Sequence, residues 1–282
     1  MPPVPPQAAA LSAPSRREYA AMLLPFILST VTQPLIGAVD TAVMGRLSDP
    51  SYIAGVAVGA VIFNTLYWLL GFLRVGSTGF SAQALATGDA EAAWKAFLLP
   101  GIMALLLGTL ILLCRDAVFS GAMFLLRLDP AAREVAGIYY DILIWTAPLT
   151  LLNYAILGWL MGQTRVRASV FMQVSMNVLN MALSMFLVFT LHMDIMGVAI
   201  ATLLSQIYGG VLGAYLIYLY GDFDYSKLPW GELLDWRQFI GMLQVNANLM
   251  IRTACLLTVN NIIAAVGASL GTVVLAANAV LL

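Results

Sequence analysis

Residues 19–45 read YAAMLLPFILSTVTQPLIGAVDTAVMG, a run with no Lys, Arg or Glu and a single acid, Asp40. It is long enough to cross the hydrocarbon of a bilayer, which takes about 20 residues of helix. In lipid, a lone segment satisfies its backbone polar groups only as a helix. Working outward, further apolar segments cover about 53–80, 95–114, 134–162, 169–191, 197–220 and 239–267, and an eighth begins near Val273. None shows the period-two alternation of a membrane barrel. The expected class is an all-α membrane protein, a polytopic helical bundle.

Composition agrees with this. The apolar residue types make up 61% of the 282 residues and the charged ones 10%, where a soluble domain carries about a quarter charged. Water does not solvate such a surface, so membrane lipids are the expected surroundings. A net charge of -1 without a basic patch gives nucleic acid nothing to bind. Cys114 and Cys255 each sit inside an apolar stretch and read as small hydrophobes. His192 is the single histidine, so no metal-ligand spacing exists and no metal site is expected.

Residues 1–18 are Pro- and Ala-rich and read as a disordered cytoplasmic tail. Ser15-Arg16-Arg17 resembles a twin-arginine export signal, but the long apolar run after it, interrupted by Pro25 and Pro34, fits a positive-inside anchor better. With the N-terminus inside, the inner segments hold Arg16, Arg17, Lys95, Arg165, Arg167, Lys227 and Arg237. The outer ones hold Arg46, Arg115, Arg127 and Arg133. Residues 221–238 form the longest polar break and read as a cytoplasmic linker. Beyond it IAGVAV at 53–58 is echoed by LAANAV at 275–280, and Asp40-Thr41 aligns near Asn260-Asn261. Such parallel repeats occur in transporters. They predict a six-helix N-lobe over 19–220 and the first helix and start of the second helix of a C-lobe over 239–282. A parent protein with a complete second half is therefore expected.

Polar residues recur at helical spacing inside the spans. Span one carries Ser29, Gln33, Gly37 and Asp40, and span four carries Thr146, Thr150 and Asn153. Span five carries Gln173, Asn177, Asn180 and Ser184, and span six carries Thr202, Gln206, Gly209 and Gly213. Amides and hydroxyls in lipid commonly hold helices together at roughly 1 kcal/mol each, and each of these taken singly fits that role. Asp40 does not. An aspartate near the middle of a span costs about 2.5–3.5 kcal/mol, and its own helix has no cation to pair with it. Loss of hydration penalises its charged form, which makes a proton-exchanging carboxylate a natural coupling element. Pro25 and Pro34 each remove a backbone hydrogen bond and permit a hinge. Arg74 reads as a snorkelling residue at the cytoplasmic end of span two. Arg252, with Asn248 on the same face of span seven, faces either a cleft or the linker.

Four stretches together resemble the multidrug and toxic compound extrusion (MATE) transporters, nearest to the DinF-type branch. They are PLIGAVDTAVMGRL at 34–47, FLRVGSTGFSAQA at 72–84, LNYAILGWLMGQTRVRAS at 152–169 and NVLNMALSMFLVFTLHMDIMGVAIAT at 177–202. The resemblance implies two six-helix lobes around a pseudo-twofold axis and a cleft that opens alternately to each side. It implies a monomer in a bacterial inner membrane, not an enzyme, that exports amphipathic organic cations or drugs in exchange for H⁺ or Na⁺, with no other cofactor. It places the coupling site at Asp40, Gln33, Asn153, Asn177, Asn180, Ser184 and Thr202, with Na⁺ possible at Asp40, Asn180 and Thr202, and the bend at Pro25. The branch usually has a second carboxylate where this chain has Ser184. Hard cations favour anionic oxygen ligands, so proton coupling through Asp40 alone is the expectation. A lipid-linked-saccharide flippase of the same superfamily is the alternative. It would need several cleft cations, where only Arg252 and Arg74 are available. A non-transporting membrane protein is a third reading, and a membrane-embedded enzyme lacks the paired groups it would need.

Overall fold

The computed structural model describes residues 27, 31–32, 35–46, 50–88, 90–126, 130–221 and 236–269. Pro25, Gln33, Pro34 and most of the expected linker lie outside these. Among the described residues the chain is helical. The helices are α1 (Leu35–Met44), α2 (Pro50–Leu70), α3 (Phe72–Thr87), α4 (Ala90–Leu113), α5 (Arg115–Leu126) and α6 (Pro130–Leu143). They continue with a 3-10 turn (Ile144–Thr146), α7 (Ala147–Gly162), α8 (Val166–Phe189), α9 (Asp194–Tyr220) and α10 (Trp236–Ser269). Five stretches are long and apolar enough to cross a membrane: Gly55–Thr87, Trp94–Leu113, Arg133–Gly162, Val166–Phe189 and Asp194–Tyr220. Met44, Leu113, Phe189 and the start of α2 lie towards one end of the bundle, the Met44 end. Thr87, Gly162 and Tyr220 lie towards the other, the Thr87 end.

The second and fourth spans run parallel at an almost constant offset of about eighty residues, and glycine sets their spacing. Near the Met44 end span two supplies the notches: Val135 fills the space beside Gly55, and the Tyr139 ring fills that beside Gly59. Near the Thr87 end span four supplies them, with Gly158 against Arg74 and Ser77 and Gly162 against Thr78 and Ser81. Lipid gives helices no hydrophobic reason to associate, so small residues that let backbones approach, together with interhelical hydrogen bonds, set the pairing. Those bonds keep the same register. Tyr67 shares a 2.8 Å hydrogen bond with Thr146 Oγ1, Ser81 donates to the Trp159 carbonyl at 3.0 Å, and Gln163 Nε2 donates to Ser81 Oγ at 3.0 Å.

Span four changes its winding at residues 144–146. Pro148, in the first turn of α7, has no N–H to give to the preceding turn, and the chain tightens to 3-10 there. The Thr146 proton goes to the Leu143 carbonyl at 2.6 Å, so Tyr67 is the donor in its bond to Thr146. Gly108 of α4 lies against Pro148 with no room for a side chain.

Spans five and six form an antiparallel hairpin, α8 with α9. The connection is short because His192 and Asp194 accept left-handed backbone, with φ of 54° and 46°, at a cost of roughly 1 kcal/mol or more each. The tight turn sets Gly197 against Leu187 and Val188, Gly209 against Met176 and Gly213 against Met172.

Helix α5 is not among the expected spans. It is a short amphipathic helix after the third span, with Val118, Phe119, Ala122 and Met123 turned to the cluster around Tyr140 and Val198. Phe124 is 81% exposed. Asp116 in its first turn favours the helix N-terminus, and Tyr140 donates its hydroxyl to the Arg115 carbonyl at 2.9 Å. Cys114 and Cys255 are free thiols on the exposed surface.

Candidate functional site

Helix α1 lies parallel to α8 and is joined to it by one side-chain bond, and Thr32, ahead of α1, is joined to α8 by another. Asn177 Nδ2 donates to Thr32 Oγ1 at 2.9 Å, and seven residues further along α8 Ser184 Oγ donates to Asp40 Oδ1 at 3.2 Å. Asp40 is 8% exposed and Ser184 is fully buried. No ion pair reaches Asp40 among the described residues. The carboxylate lies one helical turn from Met44, about 6 Å of rise, so it stands towards the Met44 end of the bundle.

One turn along α8 from Ser184, Asn180 Nδ2 donates to Thr202 Oγ1 across the hairpin at 3.0 Å, and Thr202 passes its own proton to the Val198 carbonyl at 3.1 Å. Towards the Thr87 end, Asn153 of α7 donates through Nδ2 to both Gln206 Oε1 at 2.8 Å and the Gln206 carbonyl at 3.0 Å. Gly209 gives this amide its room, since a side chain there would meet Asn153 and Met176. Asn153 and Asn180 are both buried, and the carbonyl oxygen of each amide is left without a hydrogen-bond partner. A buried amide oxygen normally finds a donor or a cation. These two are thus open acceptors in a region that also holds Asp40 and the Thr202 hydroxyl.

Asp40 with Ser184, Asn180 with Thr202, and Asn153 with Gln206 therefore form three bonded pairs on α1, α7, α8 and α9, and Asn177 is bonded to Thr32. The expected residues Gln33, Pro25 and Pro34 lie outside the described residues. Gly37, placed on the Asp40 stripe by spacing, is exposed with open space beside it. Thr146 leaves the stripe of span four and serves Tyr67 instead. Asn248 and Arg252 of α10 are exposed. Among the described side chains of that helix the buried polar one is Asn246, which lies against Gly76 of α3 with Nδ2 4.0 Å from Met103 Sδ. Sequence spacing missed Thr32, Tyr67 and Asn246 because each is a single polar residue without a stripe around it. Among the described residues no three His, Cys, Asp or Glu side chains come together to hold a metal ion.

Arg74 is partly buried, and its helix continues beyond it to Thr87. Its backbone lies against Gly158, one turn before the end of α7 at Gly162, so it stands towards the Thr87 end of the bundle.

The family model MatE matches residues 25–186. DNA damage-inducible protein F of Escherichia coli (strain K12) is 37% identical over 266 residues, which are 93% of this chain and 57% of that protein. A MOP superfamily transporter from Pyrococcus furiosus Vc1 (DSM3638), described as having a binding pocket of reverse polarity, shares the fold with a TM-score of 0.75 at 22% identity. The match covers 88% of this chain and 56% of that one. A MATE structure in complex with MaD3S matches at a TM-score of 0.77 and 22% identity, over 92% of this chain and 59% of that one. The chain thus spans a little over half the length of these relatives. With a family model matching more than half of its residues, and an all-helical bundle of the same fold, this chain belongs to the MatE family.

Proposed function

We propose that the chain is the first lobe and the beginning of the second lobe of a secondary-active antiporter, which exports amphipathic organic cations in exchange for H⁺ through Asp40. The observation that carries this reading is the Asp40–Ser184 pair, buried and 3.2 Å apart. A carboxylate next to arginine is locked in its charged form. A serine hydroxyl instead serves both forms, donating to the carboxylate and accepting from the carboxylic acid. Asp40 can then gain and lose a proton without leaving a buried group unpaired. Each exchange alters how α1 is held against α8, to which Thr32, ahead of α1, is joined by Asn177. If cargo binding and protonation exclude each other, each biases the rocking of one lobe against the other.

On this reading residues 19–220 are the first lobe, 221–238 a cytoplasmic linker and 239–282 the start of the second. The protein acts as a monomer among lipids in a bacterial inner membrane, with its N-terminus in the cytoplasm and no cofactor beyond the coupling ion. Sodium coupling is the second reading. It is favoured by the open amide oxygens of Asn180 and Asn153, which with Asp40 and Thr202 would offer oxygen ligands to a hard cation. In proteoliposomes of the full-length protein loaded with ethidium, a pH gradient should drive efflux by the wild type and not by Asp40→Asn. Equal gradient-driven efflux from both would overturn the proposal. Dependence on a Na⁺ gradient in place of the pH gradient would select the second reading.

A further inference from the structure

We propose that Asn246 is the release element of the seam between the two lobes, a buried amide left half-satisfied so that the seam opens readily; this rests on reading α10 as the first helix of the second lobe of a transporter. Among the described side chains of α10, Asn246 alone is buried, with 1% of its surface exposed. Leu249 and Met250, one turn further on, pack on the cluster that holds Leu73, Leu99 and Met103. Leu243, Val245, Ile251 and Leu256 of the same helix are exposed. Helix α10 thus meets the first lobe along one narrow line of side chains, and the most deeply buried of them is polar.

Both polar atoms of this amide are poorly served. The carbonyl oxygen has no hydrogen-bond partner and is turned onto Gly76 of α3, where the first carbon of a side chain would stand 3.3 Å from Asn246 Cγ and in contact with the oxygen itself. What faces the oxygen is a glycine Cα, whose hydrogen is a weak donor. The Nδ2 group has the Met103 sulfur at 4.0 Å, a weak acceptor. An amide that fastens helices in lipid bonds to a polar group of its neighbour, as Asn153, Asn177 and Asn180 do here. Asn246 does not. An unsatisfied buried acceptor costs free energy for as long as the seam is closed, and that cost vanishes when the amide meets water or a polar cargo. Gly76 lets α10 approach closely, so the seam is tight in geometry and weak in energy. The amide therefore raises the closed arrangement towards the open one, and two arrangements close in free energy are what a rocking pair of lobes needs.

The test is made on the full-length protein. Asn246→Leu nearly keeps the volume and removes the polar atoms. Its thermal midpoint in a non-ionic detergent should rise by about 2–8 °C, and pH-gradient-driven ethidium efflux from proteoliposomes should slow by about five-fold or more as the closed seam gains weight. A midpoint that does not rise would show the amide to be an ordinary fastening, and efflux at the wild-type rate would show that the seam stays shut throughout the cycle. Either result overturns the proposal. If Asn246→Leu does not fold, Gly76→Cys with Asn246→Cys carries the test, in a protein whose exposed thiols are removed by Cys114→Ala and Cys255→Ala. Their Cβ atoms lie within reach of a disulfide. Mild oxidation should cross-link the pair and cut efflux about ten-fold, and reduction should restore it. No cross-link, or a cross-linked protein that exports as fast as the reduced one, overturns the proposal. The thermal midpoint does not depend on proton exchange, so its failure to rise condemns the Asn246 assignment alone. A wild type without gradient-driven efflux condemns the antiport reading alone.

Discussion

Gly162→Ala adds one methyl group to the zipper between spans two and four, and the structure tells what it meets. The new carbon would stand 2.5 Å from both Ser81 Cβ and the Thr78 carbonyl oxygen and 2.8 Å from the Ala82 nitrogen. All three are backbone or Cβ atoms that no rotamer change can move, so α7 has to retreat from α3 by about 1 Å to restore ordinary contact. Overpacking of this kind costs about 1–3 kcal/mol. The same retreat stretches the Ser81–Trp159 and Gln163–Ser81 bonds, worth roughly 0.6 kcal/mol each in a membrane. The better helix propensity of alanine, about 1 kcal/mol, offsets only part of this, leaving a net loss of about 1–3 kcal/mol. At roughly 2–4 °C per kcal/mol, the thermal midpoint of the detergent-solubilised protein should fall by about 2–12 °C when monomer is followed by size-exclusion fluorescence. Gly79→Ala is the control, because nothing lies within 4 Å of the added carbon. It should be neutral or stabilising. A Gly162→Ala protein as stable as the wild type, or a Gly79→Ala protein equally weakened, would refute the claim that glycine contacts hold this register.

Two further perturbations address the site. Ser184→Asp would put a second carboxylate about 3 Å from Asp40 in a fully buried place, where two like charges cannot both remain uncompensated. The pair should share a proton or take up a cation, so Na⁺ but not a large organic cation should raise the variant's thermal midpoint and leave the wild type unchanged; no Na⁺ effect in the variant would count against the reading of position 184. Asn177→Ala removes the 2.9 Å bond to Thr32, worth roughly 0.6 kcal/mol. Amide hydrogen exchange around Thr32 should quicken by about three-fold, and unchanged exchange there would show that this bond does not hold the segment ahead of α1 against α8.

The five spans between Gly55 and Tyr220 were legible in the sequence because apolar length alone defines them in lipid. Their mutual register was not. Gly55, Gly59, Gly158 and Gly162 look like any other small residues of a membrane helix until their partners are known. Arg74 looks terminal in the sequence because small and polar residues follow it, Gly76, Ser77, Thr78 and Gly79. These residues in fact continue the helix, and Gly76, Ser77 and Thr78 are its contacts with α7 and α10. The polar stripe of span five proved the most informative, placing Asn177, Asn180 and Ser184 on the face that meets α1 and α9. The stripe of span four did not hold together, since Thr146 turns to Tyr67 while Asn153 turns to Gln206. Spacing gives the face of a helix but not which neighbour that face meets. Helix α5 was invisible because its 12 residues are too few to mark a span.

The central claim is that Asp40 exchanges its proton against cargo. Tetraphenylphosphonium has no titratable group, so any proton released when it binds comes from the protein. In weakly buffered detergent solution, mixing it with the wild-type protein should release a proton for each cation bound, and mixing it with Asp40→Asn should release none. Equal release by the two proteins would contradict the account.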